Sequence, residues 1–270
     1  MATLVCFHAH PDDEAIATGG VMAAAAAAGH RVVLVTATRG EHGEPVPGVL
    51  RDGEQLWERR VVETRLAGDI LGADRVEFLG YVDSGMMGEP TNDHPDCFWQ
   101  ADVDDAAERL AAILREVEAD VLTIYDEHGG YGHPDHIQVH RVGTRAAELV
   151  ALEHLYQATM NRDEIRRMMA AAAEAGLPLD ELDEETAGEA SEDTFGSPES
   201  LITHGIDVSA FIDVKRRSMV AHASQIDESS FFLKMPDELF AAAFGTEWFI
   251  RTGHPRPDGA PMGTALGEVG

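Results

Sequence analysis

Through its first 150 residues the chain alternates short apolar runs with longer amphipathic stretches, and this alternation restricts it to one fold class. Residues 3–9 (TLVCFHA) read as a buried strand, Glu14 to Ala28 as a helix and the β-branched run Arg31 to Thr36 as a second strand, which together make a β-α-β unit. Helical periodicity follows over residues 55–71, then a strand over Val76 to Leu79, a helix over Asp102 to Glu118 and a fourth strand over Val121 to Tyr125. The pattern predicts a Rossmann-like three-layer α/β/α fold with a mainly parallel sheet, in which ligands gather at the carboxyl ends of the strands. Two histidine-rich segments begin at such ends, at His10 and at His128.

A helix is expected over Pro134 to Leu152, after which the alternation weakens into a C-terminal excursion. Leu155 to Met160 reads as a strand and Arg162 to Ala175 as a helix. Asp180 to Asp193 holds eight acidic residues and no basic one, the signature of a solvated surface excursion. Order returns with a strand over Ile206 to Ile212 and a helix over Lys215 to His222. The expected organisation is a single domain over residues 1–253 with an acidic insertion at 160–200, followed by a flexible, Pro- and Gly-rich tail over 254–270.

Charge narrows the partners. Asp and Glu number 49 against 20 Lys and Arg, a formal net charge of -29, which repels phosphate backbones and anionic bilayers. Neither nucleic acid nor membrane is an expected partner; a homo-oligomer is compatible with the sequence. The longest small-apolar run, Val21 to Ala28, falls far short of the ~20 residues of a membrane span. The N-terminal apolar stretch has no basic region ahead of it and no small-residue cleavage site behind it, so a cytoplasmic location is expected. Cys6 and Cys97 make no disulfide framework, and Cys6 reads as core.

The first cluster, His10-Pro11-Asp12-Asp13-Glu14, sets an imidazole and three carboxylates at the end of a buried strand. Like charges there destabilise one another unless a cation compensates them. Pro11 suits a sharp strand-to-helix turn that aims His10 and Asp13 at one centre. Helix capping by Asp12 or Asp13 is the competing reading, and it accounts for one carboxylate, not three. The second cluster, YDEHGGYGHPDHIQVH over 125–140, places His128, His133, His136 and His140 in a glycine-bearing loop entering a helix. Spacing permits metal binding by His136 with His140 or by His133 with His136. A helix surface for His140 and a loop for His128 are the simpler readings. His-Pro-Asp also occurs at 94–96, without a preceding strand, so His94 is assigned to a loop; His42, His204 and His254 are expected at the surface.

AHPDDE after the first strand, with GGYGHPDHIQVH after the fourth, resembles the LmbE-like, or PIG-L, superfamily of zinc-dependent de-N-acetylases. The resemblance extends to TRGEHGE at 38–44, RRVVETRLAGDILGA at 59–73, LGYVDSG at 79–85 and KRRSMVAHASQ at 215–225. It implies one zinc ion, with Fe2+ or another divalent ion as substitute, held by His10, Asp13 and His136 with water in the open position. It implies Asp12 as the general base for that water, whose pKa zinc lowers toward ~7. It further implies His133 as a protonated imidazole beside the scissile carbonyl, Asp135 orienting it, and Tyr131 helping to bind the oxyanion. Arg60 and Asp83 match positions that contact sugar or inositol hydroxyls. The expected substrate is a small N-acyl molecule, such as an acetylated amino sugar, with a mycothiol S-conjugate amidase as the alternative; Ala15 and Ala17 stand where those amidases tend to carry Ser and Lys. A nucleotide-binding module fares poorly, because the first strand-helix turn carries three acids where a pyrophosphate would sit. A non-catalytic metal-binding protein is disfavoured by the presence of both Asp12 and His133.

Overall fold

The computed structural model describes residues 1–174, 195–267 and 269. Strands β1 (Thr3–His8), β2 (Arg31–Thr36), β3 (Arg75–Phe78), β4 (Val121–Tyr125) and β5 (His154–Thr159) run parallel, while β7 (Thr246–Arg251) lies antiparallel to both β5 and β6 (His204–Asp207). The sheet order is β3-β2-β1-β4-β5-β7-β6. Growth of the sheet therefore reverses between β1 and β4, where the two strands pair directly with Cys6 opposite Thr123. That crevice is the topological switch point at which doubly wound sheets bind ligands. The loops leaving it carry His10 and His128.

Strand alternation splits the core into two apolar layers, as a three-layer fold requires. Val5, Phe7, Val33, Val35, Leu122 and Ile124 face one side, under helices α4 (Val103–Val117) and α6 (Pro134–Val150). Leu4, Cys6, Val32 and Leu34 face the other, against α2 (Gly19–Ala27) and Leu71 of α3 (Leu56–Leu71). Cys6 is fully buried, and burial pushes its thiol up to about 12, so it is inert core. No helix among the described residues is long and apolar enough to cross a membrane.

The first helix departs from expectation because it breaks at Thr18. Helix α1 (Asp13–Ala17) stops there, at φ -137°, and the Thr18 hydroxyl joins His8 Nε2 at 2.8 Å instead of capping α2. The opening amides of α2 are satisfied from the far end of the chain: Gly20 N–H and Val21 N–H donate to the Glu247 carboxylate on β7 at 2.7 and 2.9 Å. An anionic cap suits the positive end of a helix dipole. Gly20 is required there, since a Cβ would lie 2.4 Å from Val208 Cβ.

The later elements also shift. The strand expected over Ile206 to Ile212 ends at Asp207, whose carboxylate accepts Ser209 N–H at 2.9 Å and turns the chain into a 3-10 turn (Ser209–Phe211) and then helix α8 (Ile212–Ala221). Helix α7 (Arg162–Glu174) forms as expected, and the acidic stretch Asp180 to Asp193 lies outside the described residues. The tail beyond His254 makes contacts that a free tail would lack. Arg256 donates to the carbonyls of Ile202, Glu199 and Ala260, Gly205 N–H donates to Gly263 O at 3.0 Å, and Leu266 is buried.

Candidate metal and catalytic site

At the end of β1 the chain turns sharply through Pro11 and Asp12 into α1. Asp12 sits at the N-cap position with φ 94°, in the left-handed region that non-glycine residues rarely occupy, and its side chain makes no cap hydrogen bond. Such strain persists where the surroundings over-determine it. Here Arg60 Nη2 donates to Pro11 O at 2.6 Å and to Asp12 Oδ2 at 3.2 Å, and Asp12 N–H donates to Glu14 Oε2 at 3.0 Å. The capping reading therefore fails for Asp12. Asp13 faces the crevice: Oδ2 accepts His10 N–H at 2.8 Å and lies 3.5 Å from His10 Nδ1, while Oδ1 lies 3.3 Å from His136 Nε2.

The second cluster is shaped by the turn after β4. Asp126 accepts the amides of His128 and Gly130 at 3.1 and 2.8 Å and so bends the chain into a helical turn, α5 (Gly129–Gly132). Gly129 has φ 65°, and a Cβ there would lie 2.6 Å from His136 Cβ. His136 Nδ1–H donates to the Gly129 carbonyl at 3.2 Å, and its ring stacks on Tyr125 at 4.4 Å. Since a carbonyl can only accept, Nδ1 carries the proton and Nε2 presents a lone pair. That buried Nε2 has no hydrogen-bond partner among the described residues, which is the arrangement of a metal-ligating imidazole. Replacing Gly129 by Ala should displace His136 and lower the bound divalent cation per folded chain, as metal analysis of purified protein would read; full retention would mean the turn does not govern the ligand.

Ring nitrogens of His10, His133 and His136 lie within 4.8 Å of one another, so three histidines compete with the His10, Asp13 and His136 set. Tautomers separate them. His133 Nδ1 accepts Asp135 N–H at 3.1 Å, so a neutral ring carries its proton on Nε2 and offers a donor there. Burial, with His10 and His136 adding to it, pushes His133 down to about 2. The structure thus favours a neutral imidazole over the protonated one expected, and a neutral imidazole is still a competent hydrogen-bond donor to an oxyanion.

Asp135 does not orient His133 through its carboxylate. It accepts Ser84 N–H at 2.9 Å and the Ser84 hydroxyl, and reaches His10 Nε2 at 3.1 Å. At the start of α6 its backbone serves His133 while its side chain, fully buried, turns toward the sheet end and His10. Asp83 Oδ1 lies 3.5 Å from the same His10 nitrogen and accepts Gly85 N–H, while Oδ2 accepts His42 N–H. Burial opposes the charged form of His10, but Asp83, Asp13 and Asp135 outweigh it and raise its pKa well above the ordinary value. Carboxylates that favour a proton on His10 equally favour a divalent cation nearby.

Asp12 has a different environment. Burial raises its carboxyl, Arg60 opposes, Asp13 adds to the rise, and the result is about 6, suited to a base working near neutrality. Arg60 itself is 4% exposed and donates to Gly40 O, Pro11 O and Asp12, contacts of a residue holding Asp12, while its Nε has no partner among the described residues. Glu63, one turn further along α3, accepts Ser224 N–H and the Ser224 hydroxyl. Tyr131 stands at the mouth, 37% exposed, its ring edge-on to His136 at 4.9 Å.

His10, Asp12, Asp13, Arg60, Asp83, Tyr131 and His133 line a cleft of about 250 Å³, joined at the rim by His42, Met86 and Glu89; His42, expected only at the surface, thus borders the site. A larger cavity of about 550 Å³, between Val220 and Leu233, contains none of them and is mostly apolar. His140 bonds the Tyr125 carbonyl, and His128 and His94 are exposed, as expected. Two participants escaped the sequence reading. His8, which the apolar run of β1 marks only as a strand residue, joins Tyr125 Oη at 2.7 Å and Thr18, and burial lowers it to about 4. Glu14, grouped with Asp12 and Asp13 as local negative charge, turns away from the crevice to His222; the KRRSMVAHASQ segment was its visible signal.

A mainly parallel sheet that brings His10, His136, Asp13 and the carboxyl of Asp12 together at its switch point suits metal-assisted hydrolysis. The chain belongs to the PIG-L family, described as GlcNAc-PI de-N-acetylase, whose model matches residues 5–147. It is 42% identical to the 1D-myo-inositol 2-acetamido-2-deoxy-alpha-D-glucopyranoside deacetylase of Thermobifida fusca, over 96% of each chain. Among solved structures it is similar to N,N'-diacetylchitobiose deacetylase from Pyrococcus horikoshii, with 19% identity, a TM-score of 0.57 and 92% and 82% of the two chains covered. It is also similar to the 4-carboxy-2-hydroxymuconate hydratase of Pseudomonas putida, at 17% identity and a TM-score of 0.59 over 97% and 100%. The fold therefore carries more than one chemistry, and the reaction must be argued from the site.

Proposed function

We propose that this chain removes the acetyl group from an acetylated amino sugar, with 2-acetamido-2-deoxyglucopyranosyl inositol as the leading candidate. The observation that carries the reading is that Asp12 and Asp13 line one cleft, with the otherwise unpartnered Nε2 of His136 3.3 Å from Asp13 Oδ1 behind it. The donor set fits a divalent cation, for which we propose His10, Asp13 and His136 as ligands and zinc as the ion. When bound, such an ion polarises the amide carbonyl and makes water acidic enough to attack near neutral pH.

The residues supply the rest. Asp12 takes a proton from water as its oxygen bonds to the carbonyl carbon. To the Nε2–H of His133 and the Tyr131 hydroxyl, both on the cleft wall, we assign hydrogen bonds to the oxygen that becomes negative. When the C–N bond breaks, the proton on Asp12 passes to the departing nitrogen, giving acetate and a free amine. Asp83 within the cleft, with Glu89 and His42 at its rim, offers acceptors and donors suited to sugar hydroxyls. Free-amine release should be faster from 2-acetamido-2-deoxyglucopyranosyl inositol than from an acyl-cysteine thioether conjugate. A preference for the conjugate would favour the S-conjugate amidase, and no release from either would sink the amidohydrolase reading. Metal analysis should find one ion per chain.

A further inference from the structure

The reaction as described leaves one buried acid-imidazole pair without a task. Glu14 and His222 are both fully buried, His222 Nε2 lies 2.5 Å from Glu14 Oε1, and the two stand 208 residues apart in sequence. Burying ionisable groups is costly unless they are paired and satisfied, so the position demands an explanation beyond packing. The second Glu14 oxygen supplies one: Oε2 accepts the backbone N–H of Asp12 at 3.0 Å. His222 caps the end of α8, and the chain just beyond it is fixed by Ser224, whose N–H and hydroxyl bond Glu63 of α3. One turn earlier on α3, Arg60 holds the Asp12 carboxylate and the Pro11 carbonyl. Asp12 is therefore gripped at its backbone from α8 through Glu14 and at its side chain from α3. The residue so gripped is the one held at φ 94°.

We infer that His222, acting through Glu14, is a positioning residue that holds Asp12 in its left-handed conformation and so aims the carboxylate at the cleft. His222 donates to Glu14 and fixes its rotamer; Glu14 in turn accepts the Asp12 amide, which would otherwise be left unsatisfied. Without the pair, the backbone at Asp12 relaxes toward the commoner right-handed region and the carboxylate swings with it. The inference rests on Asp12 being the base.

The test uses purified, cation-loaded enzyme and compares His222→Met, which removes the donor, with His222→Gln, which keeps an N–H toward Glu14. His222→Met should lower kcat roughly 10- to 100-fold, the usual cost of losing a residue that supports a reacting group, with KM and cation content unchanged. His222→Gln should recover most of that loss. A purely structural pair would lower the melting temperature without this kcat-specific, donor-dependent pattern. Should His222→Met fail to fold, Glu14→Gln against Glu14→Met asks the same question, because Gln retains an acceptor for the Asp12 amide. Parental kcat in the donor-free variants, or no rescue by the conservative ones, overturns the inference. Asp12→Asn separates the two levels: retained turnover there overturns the base assignment and the inference with it, whereas an inactive Asp12→Asn beside a fully active His222→Met overturns the inference alone.

Discussion

Asp12→Asn should lower turnover by roughly 100- to 10,000-fold, the range over which general-base catalysis contributes, while the protein retains its divalent cation. Asparagine keeps the shape and can still accept from Arg60, but it cannot take a proton from water. Loss of the cation instead would place Asp12 among the ligands and leave the reaction without an assigned base. The pH profile gives a second reading. Asp12 is active as the carboxylate, so kcat/KM should fall as pH drops and the group takes up its proton. The carboxyl sits at about 6 from its protein surroundings, and a cation beside it favours the charged form and moves the limb lower. An acid limb well above 6 would mean that some other group is being titrated.

The distance between what the sequence shows and what the structure shows is largest where side chains answer to partners far along the chain. Strands buried on both faces announce themselves, and Arg31–Thr36 and Val121–Tyr125 lie where their β-branched runs put them. The switch point follows from their order, and that order alone brings His10 and the second cluster together. Strand β7 was not legible because its inward-facing positions are Glu247 and Phe249, and a buried glutamate breaks the apolar alternation that marks a strand. The break at Thr18 was hidden for a related reason: the cap for α2 is supplied by that same glutamate, 227 residues away. Within the site, motif spacing placed Asp135 near His133 but could not say that its backbone would serve His133 and its carboxylate His10. Nor could it separate Glu14 from its two neighbours, since the residue that claims it, His222, lies on another helix.

Glu247 also sets the largest expected effect on stability. Its carboxylate is 2% exposed and carries three bonds at once, to Gly20 N–H, to Val21 N–H and to Lys215 Nζ at 2.6 Å, with Lys215 itself 1% exposed. Lys215→Met removes the partner charge and leaves the carboxylate buried with backbone amides alone to stabilise it. Breaking a buried pair from one side costs about 3–5 kcal/mol, which for a chain of this size corresponds to a fall in Tm on the order of 10 °C. The effect should be on folding and not on the reaction, because the pair lies beneath α2 and touches no group of the cleft. Glu247→Gln in the same chain tests the cause. A carboxamide oxygen can still accept from the start of α2, and it carries no charge to strand, so the double variant Lys215→Met, Glu247→Gln should melt above Lys215→Met alone. A double variant that melts lower would show that the amides of α2, and not the buried charge, dominate the site. In that event the link between the last strand and the first helices would be a helix cap reinforced by lysine, in place of an ion pair that happens to cap a helix.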